Sequence, residues 1–153
     1  MLKRIKNNIT IIRKSEYDEC TPYLDCTAHD AAQAALDAAQ AALETAQTNL
    51  ENAQKLKADL EKEKANASEL LGNYKNVYDT MMSTGSSIAN PNNMGDLSSV
   101  IKCVSDYGES VEASYNEAVS EEQRCSDEVD RCTQEVQQAA ATLAATPCVW
   151  KCD

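Results

Sequence analysis

AAQAALDAAQAALETAQTNLENAQ, residues 31–54, carries a heptad repeat that decides the fold. Leu36, Leu43 and Leu50 recur every seven residues, and Ala32, Ala39, Ala46 and Ala53 fill a second apolar column. Alternating spacings of three and four keep both columns on one narrow stripe of an α-helix, and such a stripe must be covered by another helix. Outward from this stretch, the stripe continues through Leu56, Leu60, Ala67, Leu70, Tyr74, Val77 and Met81. The step from Leu50 through Ala53 to Leu56 is three and three, which reads as a register change. KLKADLEKEK, residues 55–64, reads as a solvated, ion-paired stretch, and Gly72 as a weak point.

These features predict a first helix over about 22–83. Thr21-Pro22 reads as an N-cap followed by proline at the first helical position. Thr27 with Asp30 three residues later is a second candidate start. TGSSIANPNNMGD, within 84–96, is rich in helix breakers and predicts the turn, with Asp96 as the next N-cap. A second helix over about 97–146 follows. Its stripe is Ile101, Val104, Val111, Tyr115, Ala118, Cys125, Val129, Cys132, Val136, Ala139 and Leu143, interrupted by Gly108 and Glu122. Pro147 ends it, leaving a cysteine-containing tail over 147–153. Two helices of about fifty residues joined by one turn fold back antiparallel, and would make a rod on the order of 75–80 Å long. The expected fold is all-α: an elongated antiparallel coiled-coil helical hairpin over 21–146 with an N-terminal arm, stapled by disulfides.

Composition agrees with long helices: the 153 residues include no Phe, one Trp, four Gly and three Pro. Net charge is −11, unevenly spread. Residues 1–20 read as a basic arm. Lys3, Arg4, Lys6, Arg13 and Lys14 stand in residues 1–14 without an acid, and Leu2, Ile5, Ile9 and Ile12 sit at helical spacing although NNITII also reads as extended. The remainder is strongly acidic and would repel phosphate backbones, so no nucleic-acid partner is expected. The arm can contact an acidic surface, whether a membrane, a partner, or the acidic body of its own chain. No apolar run is long enough for a membrane span, and Ile9, Ile11 and Ile12 are too few for the core of a cleaved signal.

Seven cysteines, Cys20, Cys26, Cys103, Cys125, Cys132, Cys148 and Cys152, point to an oxidising, extracellular or cell-surface setting. All are disulfide candidates, and the odd count leaves at least one thiol outside intrachain bonds. Folding back brings Cys20 and Cys26 to the end that carries Cys148 and Cys152, which suggests one or two staples there. Zinc held by these four thiols is the alternative, with spacings that suit a zinc knuckle poorly. Cys125 and Cys132, seven apart on one helix, have Cα atoms roughly 10 Å apart and cannot bond each other. They are either small buried hydrophobes or bonds to another segment or chain.

No catalytic constellation is legible, and the expectation is a non-enzyme without metal or cofactor. His29, the single histidine, reads as a surface residue near the start of the first helix; Cys26 three residues before it raises a Cys-His nucleophile as a minor alternative. Tyr74, Tyr78, Tyr107 and Tyr115 flank the turn and are candidates for an aromatic cap or an interaction patch. Asn8-Ile-Thr and Asn66-Ala-Ser match the short glycosylation pattern.

A helix–turn–helix rod with a basic start, an acidic body and a polar tip resembles, over roughly residues 28–146, the small helical-hairpin (WXG-like, LXG-toxin-associated) proteins of type VII secretion. The tip here reads ANPNNMGD where that family has Trp-x-Gly, and the family's Tyr-x-x-x-Asp/Glu signal is missing. The resemblance implies a secreted, non-catalytic partner that pairs with another helical protein. The expected function is therefore protein–protein interaction, as an adaptor or secretion partner binding a helical protein or copies of itself. The alternative is a structural subunit of a filament, sheath or phage-like assembly, cross-linked through Cys103 or through Cys125 and Cys132.

Overall fold

The computed structural model describes residues 20–85, 87 and 89–153. The basic arm, its conformation and Asn8 lie outside the described residues, Cys20 excepted. Four elements follow in order: β1 (Pro22–Asp25), α1 (Thr27–Thr84), α2 (Pro91–Ala145) and β2 (Val149–Cys152). The two long helices dominate and pack against each other, as the heptads require.

Helix ends follow from capping chemistry. The Asp25 carboxylate accepts the Thr27 amide at 2.9 Å, and the Cys26 carbonyl accepts the Asp30 amide at 2.8 Å, so α1 starts at Thr27 and not at Pro22. Gly85 follows the last residue of α1 with φ 59°, the left-handed conformation that closes a helix and that glycine adopts without penalty. Asn90 caps α2: its side-chain oxygen accepts the Asn93 amide at 2.9 Å and its carbonyl the Met94 amide at 3.0 Å. Pro91 then occupies the first helical position, where its missing N–H is not needed. The turn expected over 84–96 is therefore shorter, and Asp96 lies inside α2 instead of capping it.

The chain divides into two compact units, Met1–Leu43 with Cys132–Asp153 and Glu44–Arg131. In the first, here the clasp unit, Ala32 and Cys132 are buried, with Leu36, Ala39, Leu43, Val136, Ala139 and Leu143 half-buried around them. In the second unit, Ala46, Ala53, Ala67, Val111, Ala118 and Cys125 form the buried core. Within it Gly108 faces Ala67: a Cβ at Gly108 would stand 4.0 Å from the Ala67 Cβ. Stepping along the heptads from that pair puts Leu50 level with Cys125. In the clasp unit, stepping from the His29–Thr146 hydrogen bond puts Leu43 level with Cys132. At these two levels a compact side chain faces a leucine, and the two cysteines, 6 % and 1 % exposed, act there as small hydrophobes.

The expected register change after Leu50 does not occur. The three-four alternation runs unbroken through Lys57, Lys64, Leu71 and Tyr78, all half-buried, while Leu56, Leu70 and Val77 are 53 %, 43 % and 50 % exposed. The heptads that Ala46 and Ala53 set continue unaltered, because a lysine stem can cover apolar surface while its ammonium reaches the rim. Each ammonium finds a carboxylate on α2: Lys57 meets Glu122 at 2.7 Å and Lys64 meets Glu112 at 2.9 Å.

Candidate functional site

Two places carry chemistry beyond the helical core, one in each unit. In the clasp unit, β1 and β2 pair antiparallel with Pro22 opposite Cys152, Tyr23 opposite Lys151, Leu24 opposite Trp150 and Asp25 opposite Val149. Proline opens β1, a position a strand tolerates. Disulfides bracket the ladder. Cys26–Cys148 continues the register one step past Asp25 and Val149, with Cα atoms 4.3 Å apart, and Cys20–Cys152 closes the other end with Cα atoms 5.2 Å apart. The staple expected between these pairs is thus two bonds, spanning 132 and 122 residues. The four sulfurs that zinc would need are consumed in them. Among the described residues no cluster of three or more His, Cys, Asp or Glu side chains could hold a metal.

Side chains tie the ladder to the helix ends. Asp25 forms an ion pair with Lys151 and accepts the Thr27 amide. The Lys151 ammonium first, and then the Thr27 amide, hold its carboxyl well below the usual range, and Asp25 raises Lys151 in return. His29 Nδ1 donates to the Thr146 carbonyl at 2.9 Å, so its Nδ1 carries the proton and satisfies a carbonyl at the end of α2. His29 is half-buried, not a surface residue, and its role is to join two helix ends. With Cys26 oxidised, a Cys26–His29 nucleophile has no thiol to act with.

Among the described residues nothing covers either face of the ladder. Leu24 and Trp150 share one face at 49 % and 72 % exposure; Tyr23 and Val149 are 41 % and 46 % exposed on the other. The sequence reading has CVWKCD only as a short tail and does not predict these strands. The signal was present, since both four-residue strand segments, PYLD and VWKC, abut cysteines that meet across the chain.

In the second unit the four candidate tyrosines separate by position. Tyr74, Tyr78 and Tyr115 take stripe positions and are half-buried, with the Lys64 ammonium 5.1 Å from the centre of the Tyr115 ring. Tyr107 lies one residue before the stripe, 46 % exposed, and its hydroxyl donates to the Glu63 carboxylate, which pushes the phenol pKa up. Glu63 likewise lies one residue before the stripe on α1. Residues at this heptad position therefore meet along one edge, as Leu56 and Glu121, which line a common recess, also show. Leu56, Leu70 and Val77 from α1 and Val100 and Tyr107 from α2 occupy it, 39 % to 53 % exposed. Cys103 is an exposed thiol in a shallow recess lined by Ser99, Val100, Val104 and Tyr107. Asn66 is exposed on α1.

Comparison with family models, with curated proteins and with solved structures finds no match to this chain. Among the described residues no helix is long and apolar enough to cross a membrane.

Proposed function

We propose that the chain is a non-catalytic interaction module, secreted or exposed at a cell surface, that binds a helical protein or a copy of itself along the apolar edge of its second unit. One observation carries this reading. Leu56, Leu70, Val77, Val100 and Tyr107 lie off the stripe that pairs the two helices and stay in water, while Lys57, Leu71, Tyr78, Ile101 and Gly108 take the stripe positions next to them. A row of apolar residues beside a closed two-helix stripe is where a third helix packs. Two disulfides support an oxidising setting, and the layout resemblance to type VII hairpin proteins points the same way. Site-specific photo-crosslinking tests it. Probes at Leu70, Val77 and Val100 yield adducts, whereas probes at Ser68, Ser105 and Glu112 yield none. Equal yields from both sets, or no adducts at all, refute it.

The structural-subunit reading rests on Cys103, exposed amid apolar neighbours. It requires disulfide-linked multimers on non-reducing gels that Cys103→Ser abolishes.

A further inference from the structure

The apolar edge of the second unit has a centre and a charged rim. The Tyr107 hydroxyl meets Glu63, and one heptad onward on α1 with one heptad back on α2 puts Leu70 level with Val100. Val77 and Tyr107, seven residues further on their own helices, extend this pair in opposite directions. The exposed Cys103 thiol stands in the shallow recess that Val100, Val104 and Tyr107 line. Exposed apolar side chains gathered within a polar border mark a contact surface.

The border is of one sign. Over residues 63–83 and 93–110, the edge and the two heptad rows outside it hold Glu63, Glu69, Asp96 and Asp106, all exposed, and no lysine or arginine. Asp106 meets Lys102 at 2.8 Å. Among the described residues no ion pair engages Glu63, Glu69 or Asp96. The whole unit, Glu44–Arg131, holds eight bases and seventeen acids, a net of −9. Six of its bases, Lys57, Lys62, Lys64, Lys102, Arg124 and Arg131, stand in ion pairs with its own carboxylates. The same unit of a second copy, laid on this edge, would therefore set carboxylate against carboxylate, which disfavours the match.

We propose that the occupant of this edge is a basic amphipathic helix of another protein. Its apolar stripe sits on Leu70, Val77, Val100 and Tyr107, and its flanking lysine or arginine residues face Glu63, Glu69 and Asp96. This deepens the protein-contact reading, on which it rests, by choosing a partner of opposite charge over a copy of the chain. Apolar burial supplies the affinity, while the carboxylates supply encounter rate and choice of partner. The same carboxylates repel surfaces that carry phosphate.

The probe is a synthetic helix of three heptads, the span from Leu56 to Val77, whose leucine and alanine stripe is flanked by lysines. Its twin carries glutamates in place of the lysines. Each is titrated onto the full oxidised chain while alkylation of Cys103 by iodoacetamide is timed by peptide mass spectrometry. The lysine helix protects Cys103 and the glutamate helix does not, and added salt weakens the protection. Glu63→Gln, Glu69→Gln and Asp96→Asn together lower the affinity roughly tenfold. Glu61→Gln, Asp79→Asn and Glu109→Gln, on the opposite side, leave it unchanged. Leu70→Ser lowers it roughly tenfold with circular dichroism unaltered, because Leu70 lies outside the stripe. Equal protection by both helices overturns the choice of a basic partner but keeps the edge as a contact surface. Self-association of the chain that Leu70→Ser abolishes does the same, and marks a second copy as the occupant. Protection by polylysine as strong as by the lysine helix, or binding indifferent to Leu70→Ser, overturns the proposal because charge alone then suffices. Protection by neither helix, in a chain that stays monomeric, overturns this inference and the protein-contact reading together.

Discussion

Gly108→Ala stabilises the second unit, and the structure sets the size of the gain. The added methyl would meet one atom across the interface, the Ala67 Cβ at 4.0 Å, which is ordinary van der Waals contact. Nothing has to shift. What remains is the helix preference of alanine over glycine in a helix interior, about 0.8–1.0 kcal/mol. For a chain of this size that raises the thermal midpoint by roughly 2–4 °C. Gly72→Ala is the internal control. No atom lies within 4 Å of its added methyl, so it isolates the same preference without any contact. Gly108→Leu is the overpacking control: its branched carbons must pass the Ala67 Cβ, and forcing them in costs about 1–3 kcal/mol. Far-UV circular dichroism melts of the three variants under non-reducing conditions give the comparison. A lower midpoint for Gly108→Ala alongside a higher one for Gly72→Ala would show that the helices approach more closely than 4.0 Å. It would refute the packing argument.

Other outcomes follow from the same geometry. Replacing Lys57 and Glu122 together with leucine raises the urea midpoint, whereas Glu122→Ala alone lowers it by leaving Lys57 on the stripe without its carboxylate. Asp25 protonates more readily in the unfolded chain than in the fold, so the clasp unit loses stability as pH falls below the ordinary 3.8 of its carboxyl; melts at stepped pH show this acid limb diminished in Asp25→Asn. Breaking both disulfides destabilises the chain by ~4–5 kcal/mol on the chain-entropy model, whereas breaking one costs less because the other still closes the long loop. Denaturant titrations of Cys26→Ser/Cys148→Ser and of the reduced protein test that ordering. In native protein, iodoacetamide modifies Cys103 quickly and the buried Cys125 and Cys132 only on unfolding, as peptide mass spectrometry reads directly.

The repeat from Ala32 to Ala53 was readable because its alanines and leucines leave one possible face. Beyond Ala53 hydropathy misled. It favours Leu56 and Val77 over Lys57 and Tyr78 and does not distinguish Leu70 from Leu71, although a helix keeps its periodicity whatever a single position offers. A two-residue signal also proved ambiguous. Asn90-Pro91 starts a helix as Thr21-Pro22 was expected to, but Thr21-Pro22 leads into a strand. The difference is not local. Pro22 lies between cysteines whose bonds to Cys148 and Cys152 demand an extended partner, and pairing over more than a hundred residues leaves no trace in a short window. The same distance concealed the task of His29, whose acceptor is the Thr146 carbonyl. The exposed edge in the second unit was hidden for the converse reason, since hydropathy assigns Leu56, Leu70 and Val77 to the core.

The alanine heptads also carry a hazard that the cysteines resolve. AAQAALD and AAQAALE are nearly the same word, so α1 could slide past its neighbour by seven residues and still bury alanine and leucine. Such a slip would carry Cys26 away from Cys148 by about 10 Å, too far for sulfur to bridge. Oxidation therefore acts as a vernier stop: of several nearly equivalent alignments, it makes one permanent.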